Sequence, residues 1–90
     1  MLNINRGDVI KISWTNKQRS YIVLSIYQQE KRTIVKLFDI KNSFFCKLTY
    51  SENLKENNGE EYYQLELKND KPMVIKPKID VIQKQIRINV

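Results

Sequence analysis

The chain has 90 residues, of which 41% are hydrophobic and 29% are charged, with 16 Lys and Arg against 10 Asp and Glu. This length suits one domain with one core, spanning residues 1–90. The sequence has no His and a single Cys, which excludes an internal disulfide, a site built from several thiolates, and imidazole chemistry.

The positive charge is concentrated in the first half of the chain. Residues 1–45 hold 8 Lys and Arg against 3 acids, a net +5, while residues 46–90 hold 8 against 7, a net +1. A basic half favours polyanionic partners through long-range attraction and counterion release. The N-terminal MLNINRGD lacks the apolar segment of a signal peptide. No run approaches the roughly 20 apolar residues of a membrane span. We therefore expect a cytoplasmic protein without a membrane partner.

Four strands are predicted in the first half, because β-branched and aromatic residues dominate it. They cover about 8–14, 20–27, 32–39 and 43–50. In the first strand Ile10, Ile12 and Trp14 share a face, which places Trp14 in the core. The turn at 28–31 is too short for a crossover, so it predicts an antiparallel hairpin. Cys46 is expected to be a small buried hydrophobe.

The pattern breaks after the fourth strand, where a short helix near 51–57 is predicted. Ser51 can cap it, Glu52 suits its first turn, and Gly59 can follow its end. Glu52 and Glu56 would then share one helix face. A solvated face explains them better than a cation site, which needs more converging oxygens. No metal and no cofactor are therefore predicted.

The rest of the chain predicts further strands. One covers about 61–67, with Tyr63 and Leu65 on one face, and an edge-type piece at 73–76 lies between two prolines. The last segment alternates, with Ile82, Ile86, Ile88 and Val90 predicted to face inward. About six short strands and one helix indicate a mainly β domain, a partly open SH3-like antiparallel barrel. An OB-like barrel is the alternative, but its helix would come one strand earlier.

The basic segment at 15–20 between the first two strands is the best functional lead. Arg and Lys there and on neighbouring strands can contact phosphates, and an aromatic ring can stack on an unpaired base for about 1–3 kcal/mol. Tyr27, Trp14 and Phe38 are further candidates for stacking, although Trp14 continues a core face. The predicted nucleic-acid-binding residues are Lys11, Lys17, Arg19, Tyr21, Lys31, Arg32 and Lys36.

The segment RGDVI at 6–10, followed by RSYIVLS at 19–25, resembles the opening of the MazF/PemK family of toxin endoribonucleases. The resemblance implies an SH3-like barrel, RNA cleavage, and Arg19 as the counterpart of the family's catalytic arginine, which stabilises the charged transition state. Ser20 stands where the family usually has Pro. LFDI at 37–40 stands where it has a Pro-x-Thr segment with the catalytic threonine. The C-terminus alternates as a strand where the family usually ends in a helix.

Three functions follow, in order of preference. The first is a non-enzymatic protein that binds nucleic acid through its N-terminal hairpins. A chain rich in Asn, Lys and Ile and free of Ala is compatible with a phage or mobile-element regulator. The second is a protein-interaction module or an inhibitor of a host protein, with Tyr62 and Tyr63 as possible anchors. The third is a MazF-like endoribonuclease. Oligomeric state, and the choice between DNA and RNA, stay open.

Overall fold

The computed structural model describes residues 3–51, 62–67 and 71–84. These residues form seven strands in one antiparallel sheet of order β6-β5-β4-β3-β2-β1-β7. The strands are β1 Val9–Trp14, β2 Lys17–Gln29, β3 Arg32–Asp39, β4 Phe44–Ser51, β5 Tyr63–Glu66, β6 Met73–Ile75 and β7 Lys78–Gln83. The prediction of a mainly β antiparallel domain is confirmed. The helix predicted near 51–57 falls outside the described residues, apart from Ser51, which ends β4.

The sheet curls into a half-barrel. Its two edge strands, β6 and β7, are joined by only Lys76 and Pro77. Because successive Cα atoms are about 3.8 Å apart, Ile75 and Lys78 lie at most about 11 Å from each other, and the sheet must bend until its edges meet there. Proline suits this corner, since it cannot donate to a strand ladder. Among the residues that the structure describes, there is no helix long and apolar enough to cross a membrane.

One face of the sheet, the inner face, carries the core. Alternation along β1 places Ile10, Ile12 and Trp14 there, and all three are buried, as predicted. Leu37 and Cys46 are register partners on the same face and are also buried, which confirms the expected environment of Cys46. The residues that flank these two along β3 and β4 consequently lie on the opposite, outer face.

β2 is longer than predicted at both ends. The expected loop at 15–20 is a two-residue turn, Thr15-Asn16, with Trp14 opposite Lys17. Thr15 has a φ of 50°, in the left-handed region that two-residue hairpin turns use. Lys17 and Arg19 therefore lie on a strand and not on a loop, at alternate positions that share one face. Arg19 is opposite Ile12 and so lies on the inner face.

The prediction that Ile82 faces inward is wrong. Ile79 and Val81 pack against the core, whereas Ile82 is 56% exposed. Ile79 is opposite the inward-facing Ile12 and Val81 is opposite Ile10, so ordinary alternation along β7 directs Ile82 outward; the prediction had assigned the even-numbered residues of this strand to the wrong face. The other apolar positions of the predicted last strand, 86, 88 and 90, lie outside the described residues.

The Gly-Asp pair before β1 has a structural explanation. Gly7 has a φ of 89°, a value that costs glycine little, and its N–H donates to the Val23 carbonyl at 2.8 Å. The buried Asp8 accepts from the Asn5 N–H at 2.8 Å through its carboxylate, and its carbonyl accepts from the Val23 N–H at 2.9 Å. These bonds close the turn that leads into β1 and attach it to β2.

Candidate functional site

A groove lies where β2 extends past the end of β3. The last pair between these strands is Tyr21 with Asp39, so residues 17–20 continue beyond it and face the loop that connects β3 to β4. The space between them, called here the hairpin-end groove, has a volume of about 780 Å³. Its lining comprises Lys11, Asn16, Lys17, Gln18, Arg19, Ser20, Asp39, Ile40, Lys41 and Asn42.

Asp39 fixes the shape of this groove. Its carboxylate is almost fully buried, with 1% of the side chain exposed. It accepts hydrogen bonds from the Lys41 N–H at 3.0 Å, the Asn42 N–H at 2.9 Å and the Asn42 Nδ2 at 3.1 Å. Arg19 Nη1 lies 3.7 Å from Asp39 Oδ2. The carboxylate therefore connects both walls of the groove, β2 through Arg19 and the β3–β4 loop through its N–H groups.

The groove is electropositive. Four of its lining residues are cationic, namely Lys11, Lys17, Arg19 and Lys41, and one is acidic, so the lining carries a net +3. The one acid, Asp39, is buried, accepts hydrogen bonds from its own loop and pairs with Arg19. Exposed ammonium and guanidinium groups around a concave, polar surface suit phosphate or another multivalent anion.

Tyr21 does not belong to this surface, which corrects the prediction that it binds nucleic acid. Its side chain is 0% exposed on the inner face, opposite Ile10 and Asp39, so its ring cannot stack on a base. Burial, reinforced by the neighbouring Cys46 and Asp39, raises the pKa of the Tyr21 hydroxyl well above its ordinary value. Burial likewise raises the pKa of the Cys46 thiol to about 12. Both groups therefore stay protonated near neutral pH.

The structure places the other predicted residues in three separate regions. Lys11, Lys17 and Arg19 line the groove together. Lys31 lies in the turn at the far end of the β2–β3 hairpin, with Arg32 next to it. The whole of β2, 13 residues of extended strand or roughly 40 Å, lies between these two regions, and this length is comparable to the longest dimension of the protein, 43 Å. The seven predicted residues consequently do not form one site.

Lys36 lies between these two regions, on the outer face. It is exposed, and its Nζ is 5.8 Å from the centre of the Tyr27 ring. A cation over an aromatic face at this distance gains a modest attraction. Lys36 thus contributes to a surface other than the groove.

The groove residues that sequence reasoning missed come from the β3–β4 loop. Lys41 and Asn42 were not among the predicted site residues, yet both line the groove. A sequence signal for these two residues does exist: an Asp stands two and three positions before them. Such an Asp side chain can accept hydrogen bonds from the N–H groups of its own turn and so fix the orientation of the residues that follow. The extension of β2 past β3 has no comparable local signature.

No catalytic arrangement is evident in the part of the chain that the structure describes. It contains no group of three or more His, Cys, Asp or Glu side chains that could hold a metal ion. The Asp39 carboxylate already accepts three hydrogen bonds and faces Arg19, which leaves it poorly placed to act as a general base. Comparisons with family models, curated proteins and solved structures find no match to this chain.

Proposed function

We propose that this protein is a non-enzymatic nucleic-acid-binding protein and that the hairpin-end groove holds the phosphate backbone. The observation that supports this best is that Lys11, Lys17, Arg19 and Lys41 line one groove whose single acid, Asp39, is buried and hydrogen-bonded within its own loop. Phosphates supply most of the affinity in such complexes, because each contact releases condensed counterions. The proposal includes an SH3-like barrel and a cytoplasmic location.

Contacts in the groove would position the nucleic acid without reading its sequence. The described lining has Lys, Arg, Asn, Gln, Ser and Asp side chains and one aliphatic residue, Ile40, but no aromatic ring. Such groups donate to phosphate and sugar oxygens, contacts that fix orientation and carry little sequence information. We therefore expect affinity to depend strongly on salt and weakly on base composition.

Arg19 has a holding role in this proposal. Its guanidinium is about one-third exposed and its Nη1 lies 3.7 Å from the Asp39 carboxylate, an arrangement that orients it towards the groove. An arginine held in this way can contact a phosphate oxygen with its remaining N–H groups. Cleavage of RNA would require a proton acceptor in addition to Arg19, and the segment that resembles the endoribonucleases, residues 6–25, does not supply one.

The test is a binding titration of labelled oligonucleotides at about 50 mM salt, where phosphate contacts are strong. The double variant Lys17→Ala/Lys41→Ala removes two groove cations and should weaken binding by about tenfold or more. Lys31→Ala/Arg32→Ala is the charge-matched control, two exposed cations at the other end of the β2–β3 hairpin, and should change the affinity by less than about twofold. Absence of binding by the wild type, or equal losses in both variants, would contradict the proposal.

A further inference from the structure

Two phenylalanines and two lysines form a compact block on the outer face of β3 and β4. Phe38 is the register partner of Phe45, and Lys36 is the register partner of Lys47. Register partners share a face, and these residues alternate with the buried Leu37 and Cys46, so all four lie on the outer face. We call this block the outer-face platform.

Phe45 is the exposed ring of the platform. Its side chain is 69% exposed, and Phe38 contacts it with ring centres 5.2 Å apart and an angle of 63° between the rings. This edge contact supports one side of the Phe45 ring. An exposed, supported ring on a rigid sheet is the arrangement on which unpaired bases stack.

The lysines lie in the next row of the sheet. Lys36 and Lys47 are directly opposite each other, and like charges in such positions repel. Lys47 Nζ is 3.6 Å from Glu66 Oε2, but both side chains are well exposed, and exposed ion pairs contribute little. Including Glu66, the row carries a net +1. An anionic ligand could therefore relieve the repulsion and displace the weak pair.

The platform is adjacent to the hairpin-end groove. A concavity of about 840 Å³ is lined by the platform residues Lys36, Phe45 and Lys47, by Ser43, and also by the inner-face residues Leu37 and Cys46. Asn42, the residue before Ser43, lines the hairpin-end groove. The two concavities therefore reach adjacent residues of the β3–β4 loop, so one nucleic-acid chain could contact both.

We infer that the outer-face platform stacks an unpaired base on Phe45 and holds the neighbouring phosphates with Lys36 and Lys47, so that the nucleic acid is single-stranded. This inference rests on the proposed function and specifies its ligand. Residues two apart on a strand are separated by about 6.6 Å, which suits a base and its own phosphate. In a duplex the bases stack on each other, so their faces are not accessible to Phe45.

The experiment compares three probes of about 12 nucleotides: oligothymidylate, an abasic oligomer with the same phosphates, and a duplex. Phe45→Ala should weaken oligothymidylate binding by at least about fivefold and leave abasic binding unchanged, because only the base contact is lost. Phe45→Trp should retain the wild-type affinity. Val74→Ala, at a residue 57% exposed on β6, is the matched control and should have no effect.

The outcomes separate this inference from the proposed function. If oligothymidylate and the abasic oligomer bind equally well and Phe45→Ala changes neither, the inference is overturned while the proposed function survives. If no probe binds, both fail. If Phe45→Ala changes the molecular mass in light scattering but no oligonucleotide affinity, Phe45 is a contact between protein chains and the inference is likewise overturned.

Discussion

Loss of the Asp39 carboxylate should cost several kcal/mol of stability. Its buried carboxylate accepts three hydrogen bonds from the β3–β4 loop and faces Arg19 at 3.7 Å. A hydrogen bond to a charged group contributes about 1.5–3 kcal/mol, and three bonds from one short loop are not additive. We expect Asp39→Ala to lower the free energy of unfolding by about 3–5 kcal/mol. Asp39→Asn, which keeps one acceptor oxygen, should cost about 2–3 kcal/mol.

Urea unfolding followed by fluorescence measures this loss directly, because the chain has one tryptophan, the buried Trp14. The control is Asp80→Asn, a half-buried acid opposite Lys11 on β7, for which we expect a loss below about 1 kcal/mol. An Asp39→Asn protein within about 0.5 kcal/mol of the wild type would refute the role assigned to this carboxylate.

Three further changes test the fold. The buried Tyr21 hydroxyl has no hydrogen-bond partner of good geometry among the described residues, so Tyr21→Phe should leave urea stability unchanged or raise it by about 1 kcal/mol, and a clear loss would be contrary. Burial raises the pKa of the Cys46 thiol from 9.0 to about 12. The protonated thiol therefore contributes fully to the free energy of unfolding below pH about 9, and this contribution is lost as the pH rises towards 12. Cys46→Ala should lose less stability than the wild type over that range, and parallel curves of stability against pH would disprove this. Gly7→Ala places a Cβ at a φ of 89° and should lower the thermal midpoint by an amount equivalent to about 1–2 kcal/mol, whereas an unchanged midpoint would exclude this strain.

Alternation along single strands predicted the core well. Ile10, Ile12 and Trp14 are buried together because a period of two assigns residues to faces directly. Ile82 was assigned to the wrong face because the last strand has apolar residues at both odd and even positions. Its pairing with β1 places Ile79 and Val81 opposite the inward-facing Ile12 and Ile10, and a single segment does not reveal that register.

The site was harder to predict, because it depends on register and on strand length. Thr15 in a left-handed conformation closes β1 and β2 with two residues, a turn that usually selects Gly or Asn, so the basic segment was interpreted as a loop. Phe44, Phe45 and Cys46 are consecutive apolar residues, and their sequence does not indicate which one faces outward. The pairing of Phe45 with Phe38 decides that.

The salt dependence of binding tests the central claim most directly. If the four groove cations each neutralise one phosphate of a single strand, log K should fall with log salt with a slope of about 3. A contribution from Lys36 and Lys47 would raise the slope to about 4. In Lys17→Ala/Lys41→Ala the slope should decrease by about 1.4. A slope that is near zero in the wild type, or the same in the variant, would contradict the assignment of the groove as a phosphate-binding surface.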